Sequence, residues 1–460
     1  MIEVQQQQLI QAIQNAKRQL HDQEDSLLFS YTEKIDRQNP IDFFGNGAMF
    51  RGTRFYWTSY DKDFSLVGLN SVYMLIADQN RFAEIDHEWQ KVKQRAYEVN
   101  EYNVLGTGPL LMGGFSFDSN QRLGETWKNF HGSKMVVPEF LLTNDEQSSY
   151  VTYNFMLTVD TSEHEMMDRY NELLFQLLQP YEIPSLPQQQ AHWDMAPEEW
   201  KGKVAKATKE IEHGDLAKVV LAREHKLQFT EELPVASVLA NLHEQQKQSY
   251  IFAFESGQDC FVGATPERLV RVEDGELLST CLAGTAPRGN TVEEDKRIGE
   301  QLLHDEKNIA EHKFVVDMIR QAVDTYCDYV HVPDYPILSR LQNLQHLYTP
   351  VKGKLKEEFT ILDVVKKLHP TPAMGGVPRE KALAFIREEE LFHRGWYAAP
   401  IGWMDLNGDG EFAVAIRSAL VSGNEASLFA GCGIVKDSDP QKEFEETEMK
   451  FKPMVHALGG

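Results

Sequence analysis

Glu411-Phe-Ala-Val-Ala-Ile-Arg-Ser-Ala419, then Ala426-Ser-Leu-Phe-Ala-Gly-Cys-Gly-Ile-Val435, then Asp439-Pro-Gln-Lys-Glu-Phe-Glu-Glu-Thr-Glu-Met-Lys450 is the stretch that decides the fold class. The first two runs are short and apolar, and turn residues separate them, which predicts strands over Glu411–Ala419 and Ala426–Phe429. The third run reads as a helix over Pro440–His456, with Asp439 able to cap it and Pro440 suited to its first turn. Two strands in succession before a helix is not the alternation of a βαβ barrel. The pattern predicts a mixed α/β (α+β) chain with consecutive strands.

The rest of the second half reads the same way. Trp200, Val204, Ala207 and Ile211 fall at i, i+4, i+7 and i+11, one stripe of a helix that Gly214 can end. Ala217–Arg223 is a β-branched run expected to form a buried strand, and further strands are predicted at Tyr250–Phe254 and Leu269–Val272. Helices are predicted at Asp295–Leu303, Asn308–Tyr326, Ile361–Leu368 and Arg379–Arg387. The first half opens on a polar surface helix, Gln5–Leu20. It is then mostly strand-like and aromatic from Asp42 to Tyr153, with one helix at Phe82–Tyr97. Gln179 to Pro197, with four prolines and three consecutive glutamines, reads as a linker. The chain therefore divides into residues 1–190 and 191–460. No repeat of solenoid period occurs.

The 460 residues carry 70 acidic and 46 basic side chains, a net charge of −24. That balance argues against a nucleic-acid partner, whose non-specific affinity rests on Lys and Arg. An anionic substrate would need positive charge concentrated locally, by a metal or a few placed side chains. Cys260, Cys281, Cys327 and Cys432 form no CxxC pair or zinc spacing, as expected of buried thiols in a reducing compartment. The opening Met1-Ile-Glu-Val4 lacks the basic start and apolar run of a secretory signal, and no run of about 18 apolar residues follows, so the cytoplasm is expected.

Asp405-Leu-Asn-Gly-Asp-Gly-Glu411 begins like a calcium loop, but its twelfth position is Ile416, so a hairpin turn is the better account. Gly202-Lys203 and Gly353-Lys354 are followed by Val and Leu, so neither is a phosphate loop. On the last helix, Glu443, Glu446 and Lys450 share one face. On spacing alone, a solvated face with a Glu446–Lys450 pair is the better account. The glycine-opened turn at Gly431-Cys-Gly433, where backbone can approach a ligand, favours the site. Glu311, among Phe314, Val315, Met318 and Ile319, is expected at the edge of a buried face, needing either a salt bridge or a divalent cation.

From Trp200 to Gly460 the chain resembles the chorismate-utilising enzymes: isochorismate synthases, salicylate synthases, anthranilate synthase large chains and aminodeoxychorismate synthases. The motifs that carry the resemblance begin with Lys218-Val-Val-Leu-Ala-Arg223, Phe261-Val-Gly-Ala-Thr-Pro-Glu-Arg-Leu269 and Leu282-Ala-Gly-Thr285. They continue through His369-Pro-Thr-Pro-Ala-Met-Gly-Gly376, Tyr397-Ala-Ala-Pro-Ile-Gly402, Phe412-Ala-Val-Ala-Ile-Arg417 and Gly431-Cys-Gly-Ile-Val435 to the Glu443/Glu446/Lys450 helix. The first half, with Gly106-Thr-Gly-Pro-Leu-Leu-Met-Gly-Gly-Phe-Ser-Phe117, looks most like isochorismate synthases of the menaquinone pathway. The resemblance implies one large domain like anthranilate synthase component I, with two facing, largely antiparallel sheets, helices outside and the site between them. Residues 1–190 would then be the N-terminal part of the sandwich and 191–460 the chorismate-binding catalytic region.

The resemblance also implies roles. Glu311 and Glu446 would bind Mg²⁺, with Glu443 nearby, directly or through water. Arg417, Tyr397 and Lys450 would hold the substrate carboxylates, helped by backbone groups of Gly284, Thr285, Gly431 and Gly433. Lys218 would be the general base and Glu267 the general acid. The reaction implied adds water at C2 of chorismate, shifts a double bond and expels the C4 hydroxyl. Glu267 must then stay protonated near neutrality, and Lys218 can accept a proton only as the neutral amine. Lys218 separates this chain from the ammonia-using anthranilate synthases, which have no lysine there. Ala283 stands where aminodeoxychorismate synthases carry a nucleophilic lysine, and Ala373 where salicylate synthases tend to have threonine. No glutaminase partner is expected. The rival expectations are a salicylate synthase or anthranilate synthase-like enzyme, or a non-catalytic chorismate-binding protein.

Overall fold

Strands of period two and helices of period 3.6 sort into two large sheets with helices around them in the computed structural model, which describes residues 2–22, 25–340 and 344–460. Among the described residues one sheet has 13 strands and the other 10. The pairings are antiparallel except that of Leu27–Ile35 with Tyr97–Val99. The inner faces meet in an apolar layer. Trp57, Leu141 and Phe252 of the larger sheet pack with Met112, Ile401 and Trp403 of the smaller, all essentially without exposed surface. Each such side chain contributes roughly 1.5–3 kcal/mol by leaving water.

Both sheets are built from both halves of the sequence. Arg54–Thr58 pairs with Tyr250–Ser256 in the larger sheet, and Leu110–Phe115 pairs with Pro400–Asp405 in the smaller. Neither half could satisfy its strand edges alone. The helix Pro197–Glu212 buries the predicted stripe of Trp200, Val204, Ala207 and Ile211, and Gly214 follows it with φ +89°. No helix among the described residues is long and apolar enough to cross a membrane.

Three sequence expectations are corrected. Gly431-Cys-Gly433 opens no turn, because it lies inside the strand Glu425–Ile434 and stays paired with Lys218–Phe229 throughout. Glu411–Ala419 is not one strand. Gly410–Val414 lies in the smaller sheet and Ser418–Ser422 in the larger, and the chain crosses between them at Arg417, whose φ is +51°. Both pieces are buried, so the apolar run continues through the crossing and hides it. The segment Gln179–Pro197 is not linker throughout, because Gln189–Asp194 adds an edge strand to Lys218–Phe229. Its polar side chains suit an edge, which is why composition misreads it. The helices Glu163–Leu177 and Val235–Gln245 lie outside the sequence expectations altogether.

Candidate active site

Lys218 is the first residue of the strand Lys218–Phe229, which runs between Glu425–Ile434 on one side and the short Gly376–Val377 on the other. Two glycines make room for it. Gly376, at φ +136°, sits so close that an added methyl would fall 2.2 Å from the Lys218 carbonyl oxygen. At Gly433 an added methyl would lie 2.6 Å from Lys218 Cε and 3.3 Å from Nζ. The lysine stem therefore runs across the bare backbone of Gly433.

Arg417 occupies the crossing between the sheets. Its left-handed backbone costs roughly 1–2 kcal/mol for a side-chain-bearing residue. The Ala264 amide, 3.0 Å from the Arg417 carbonyl, holds it there. Burial pulls the guanidinium's pKa down from its ordinary value, while Tyr397, Glu446 and Glu267 oppose that. Among the described residues it has no ion pair, so a desolvated cation is left facing a cavity. That cavity, of about 90 Å³, is lined among others by Arg417, Tyr397, Gly431, Gly433 and Lys450. Tyr397 is buried, and its ring packs 5.4 Å from that of Phe429.

Glu267 follows the strand Asp259–Thr265. Its amide donates to Thr265 Oγ1 at 3.2 Å, and its carbonyl accepts from Val414 N at 3.0 Å. Burial raises its carboxyl from 4.5 to about 7, against the pull of Arg417 and Lys218. The Arg417 and Lys218 side chains are thus within electrostatic reach of that carboxyl.

The helix Pro440–Ala457 closes another side. Lys450 Nζ donates to the Gly431 carbonyl at 2.8 Å and pairs with Glu446 Oε1 at 2.6 Å. The i, i+4 pair anticipated from spacing is therefore formed, but it stands at the cavity and not on a remote surface. Gly431 offers its carbonyl to the lysine, and a carbonyl cannot receive a carboxylate. That carbonyl thereby holds Lys450 at the cavity. Glu443 is half-buried one turn earlier. Arg223, fully buried, anchors this helix: it donates to Thr447 Oγ1 at 2.6 Å, pairs with Glu448 and Asp194, and lies over the Phe444 ring. Arg394 plays the same part opposite. It is buried against Glu390 and donates to the carbonyls of Met374 and Val220 at 2.8 and 2.9 Å. Neither anchor is marked as a site residue by the sequence.

The strand Glu276–Pro287, which carries Gly284 and Thr285, contributes no residue to the lining of that cavity. Its register slips at Gly284, which has φ +77°. Beyond that bulge Thr285 Oγ1 lies 2.9 Å from Nδ1 of His346, whose pKa is lowered by burial and by the charge of Arg417. His346 is thus a site residue that sequence reasoning misses, since no motif flags it. Glu311 departs from expectation. The buried stripe of its helix is His312, Val316, Ile319 and Val323, so position 311 is rotated off that face and is exposed. Phe314, counted among its apolar neighbours, is 55% exposed. The sequence periodicity sets the buried stripe one residue out of phase.

Glu311, Glu443 and Glu446 offer only hard carboxylate oxygens, the donor type suited to Mg²⁺. Glu446 is half-exposed, with one oxygen on Lys450 and the other available. Among the described residues no three His, Cys, Asp or Glu side chains are gathered into a metal shell. The structure therefore brings Glu443, Glu446 and Lys450 to one helix face but does not draw Glu311 into a cluster with them.

A family model described as chorismate binding enzyme matches residues 11–459. The chain belongs to that family. Isochorismate synthase MenF of Bacillus subtilis (strain 168) is 40% identical over 98% of this chain and 97% of that one. Among solved structures, MenF, the menaquinone-specific isochorismate synthase from Escherichia coli, superposes with a TM-score of 0.79 at 25% identity, covering 98% of this chain and 99% of that chain. Anthranilate synthase component I from Streptococcus pneumoniae TIGR4 gives 0.72 at 26% identity, covering 85% and 92%. The two-sheet architecture of this chorismate binding enzyme is therefore shared by an isochorismate synthase and an anthranilate synthase component. What distinguishes them must lie in side chains of the site, not in the fold.

Proposed function

We propose that this chain is an isochorismate synthase, interconverting chorismate and isochorismate by adding water at C2 and releasing the C4 hydroxyl as water. The observation that carries the reading is that Lys218 and the raised Glu267 carboxyl lie within electrostatic reach of each other, beside Arg417, which has no ion pair among the described residues. Chorismate is a dianion, and Arg417 supplies a fixed cation in a dry site where a charge-assisted contact is strong. Lys218, as the amine, takes the proton of the attacking water. Glu267, as the acid, gives its proton to the departing hydroxyl, a poor leaving group otherwise. One proton is taken and one given, so the reaction is a net isomerisation and runs in both directions.

Isochorismate-forming members of the family use a divalent cation, and Mg²⁺ is the ion proposed here. Glu311 and Glu446 would hold it, with Glu443 directly or through water. Bound there, it would neutralise part of the substrate's charge. The full-length likeness to a menaquinone-specific enzyme supports a role in menaquinone formation. A net charge of −24 supports a protein without nucleic-acid partners. A cytoplasmic enzyme working without a glutaminase subunit completes the reading, since water and not ammonia is the nucleophile.

The test is purified protein with chorismate and Mg²⁺, followed by NMR of the ring protons. Isochorismate at equilibrium with chorismate is expected. Chorismate bound but unchanged, or conversion to salicylate or (with ammonia) anthranilate, sinks the reading. Arg417→Met is expected to raise KM for chorismate about 100-fold, equivalent to about 3 kcal/mol. Steady-state kinetics check this, and an unchanged KM removes Arg417 from the carboxylate site.

A further inference from the structure

The residue after Glu311 points the other way. His312 is buried on the inner face of the helix Glu306–Asp324, and both nitrogens of its ring are engaged. Nδ1 lies 3.0 Å from the Ala283 carbonyl oxygen and Nε2 lies 2.7 Å from the Thr349 hydroxyl. A carbonyl only accepts, so Nδ1 carries the hydrogen and Nε2 receives one from Thr349. Burial lowers the pKa of the imidazole, in keeping with this neutral form. Cys281 Sγ packs 3.7 Å from Nδ1.

The ring thus reaches from one helix onto two adjacent strands, Glu276–Pro287 and Leu344–Leu355. It does so where their ladder slips. Ala283 pairs with Leu347 and Thr285 with His346, leaving Gly284 unpaired between them. A bulge re-aims the residues beyond it only if something fixes its geometry. Here the Ala283 carbonyl, at the edge of the slip, is held by a side chain whose own helix carries Glu311. The same helix crowds the bulge at its first turn, where a methyl added to Gly284 would lie 3.3 Å from Asn308 Oδ1.

We propose that His312 is a positioning residue for chorismate isomerisation: it fixes the Gly284 bulge and the Glu311 helix to each other, so that substrate and cation sites are set by one side chain. The proposal rests on the isochorismate synthase reading above. With both nitrogens engaged inside the protein, His312 is neither acid nor base, and it acts through Thr285 and Glu311. Its loss weakens Mg²⁺ and chorismate binding together and leaves the proton transfers of Lys218 and Glu267 in place.

The test is a set of three variants. His312→Leu removes both hydrogen bonds. His312→Asn keeps a donor at the Nδ1 position. Thr349→Val removes only the second bond. In His312→Leu, KM for chorismate, the half-saturating Mg²⁺ concentration and the Kd for Mg²⁺ by calorimetry are each expected to rise about 10-fold, the lower end of what losing a direct hydrogen-bond partner of a metal ligand costs, because His312 acts on Glu311 through their shared helix. kcat is expected to change less than about 3-fold, and the pH profile not at all. His312→Asn is expected to recover most of the binding, and Thr349→Val to shift it in the same direction by less than His312→Leu. Wild-type binding in His312→Leu, whatever its Tm, overturns the proposal, as does an Asn variant no better than Leu. Should His312→Leu fail to fold, Thr349→Val decides, and unchanged binding there overturns it. Calorimetry of Mg²⁺ needs no turnover, so a wild-type protein inert toward chorismate sinks the functional reading without being mistaken for the failure of this one.

Discussion

Lys218→Ala is expected to lower kcat for chorismate isomerisation at least about 10³-fold while leaving Tm and KM close to wild type. General-base assistance is worth about 10²–10⁴-fold. Water is a weak nucleophile, and the Lys450 amine at the same cavity is already engaged by Glu446 and the Gly431 carbonyl, so the upper part of that range applies. The fold should survive because Lys218 is half-buried at the first position of its strand, and no hydrogen bond or ion pair ties down its ammonium among the described residues. What is lost is contact between the lysine stem and the backbone of Gly433, and the alanine leaves space that solvent can enter. Lys218→Arg sharpens the test. It keeps a positive charge, but a guanidinium does not give up its proton in water, so the variant is expected to be as inactive as alanine. Stopped reactions assayed by ring-proton NMR would read both. A near-normal rate in Lys218→Ala would remove Lys218 from the mechanism. Activity in Lys218→Arg would reduce its role to that of a charge.

The chemistry of the site is more legible in the sequence than its construction. Motifs identify Lys218, Glu267, Arg417 and Lys450 as a set, and the structure places Arg417, Gly433 and Lys450 around one cavity, with Lys218 and Glu267 in electrostatic reach of Arg417 or each other. Why Arg417 can stand there is not legible. Gly410–Val414 and Ser418–Ser422 belong to different sheets, and an apolar run buried on both sides carries no mark of where the chain changes layer. The anchors Arg223 and Arg394 are hidden for a related reason. A charged side chain in a sequence reads as surface by default, and only the partners Asp194, Glu448 and Glu390, distant or unremarkable in sequence, reveal a buried network. Glu311 fails differently. Helical periodicity locates its helix correctly but sets the buried stripe one residue early, and a 100° error exchanges an exposed carboxylate for a buried imidazole. His312, not Glu311, is the polar group that the buried face has to satisfy.

Glu267→Gln is expected to abolish the acid limb of catalysis and, at the same time, to stabilise the protein above neutral pH. In the wild type burial pushes the free enzyme's carboxyl up to about 7, so kcat/KM should fall as pH rises through that value and the acid is lost. An amide cannot donate the required proton, so a fall of about 10²–10⁴-fold is expected in the variant at pH 6, with no inflection left near 7. The same carboxyl governs a pH dependence of stability. Its pKa is about 7 in the folded protein against 4.5 for a solvated glutamate, so between those values the native protein binds more protons than the unfolded chain. Stability contributed by the protonated form is complete below about 4.5 and is lost as pH rises toward about 7. Above 7 the folded protein carries a desolvated carboxylate, at a cost of up to about 3 kcal/mol. Glutamine removes that cost, so the variant's advantage over wild type in denaturant midpoint should be larger at pH 8 than at pH 5. Two measurements on one variant thus pull in opposite directions: activity lost, stability gained. A glutamine variant that is inactive but no more stable at pH 8 than at pH 5 would mean that the carboxyl is not held against ionisation by burial. A variant that keeps its rate would mean that the leaving hydroxyl takes its proton elsewhere.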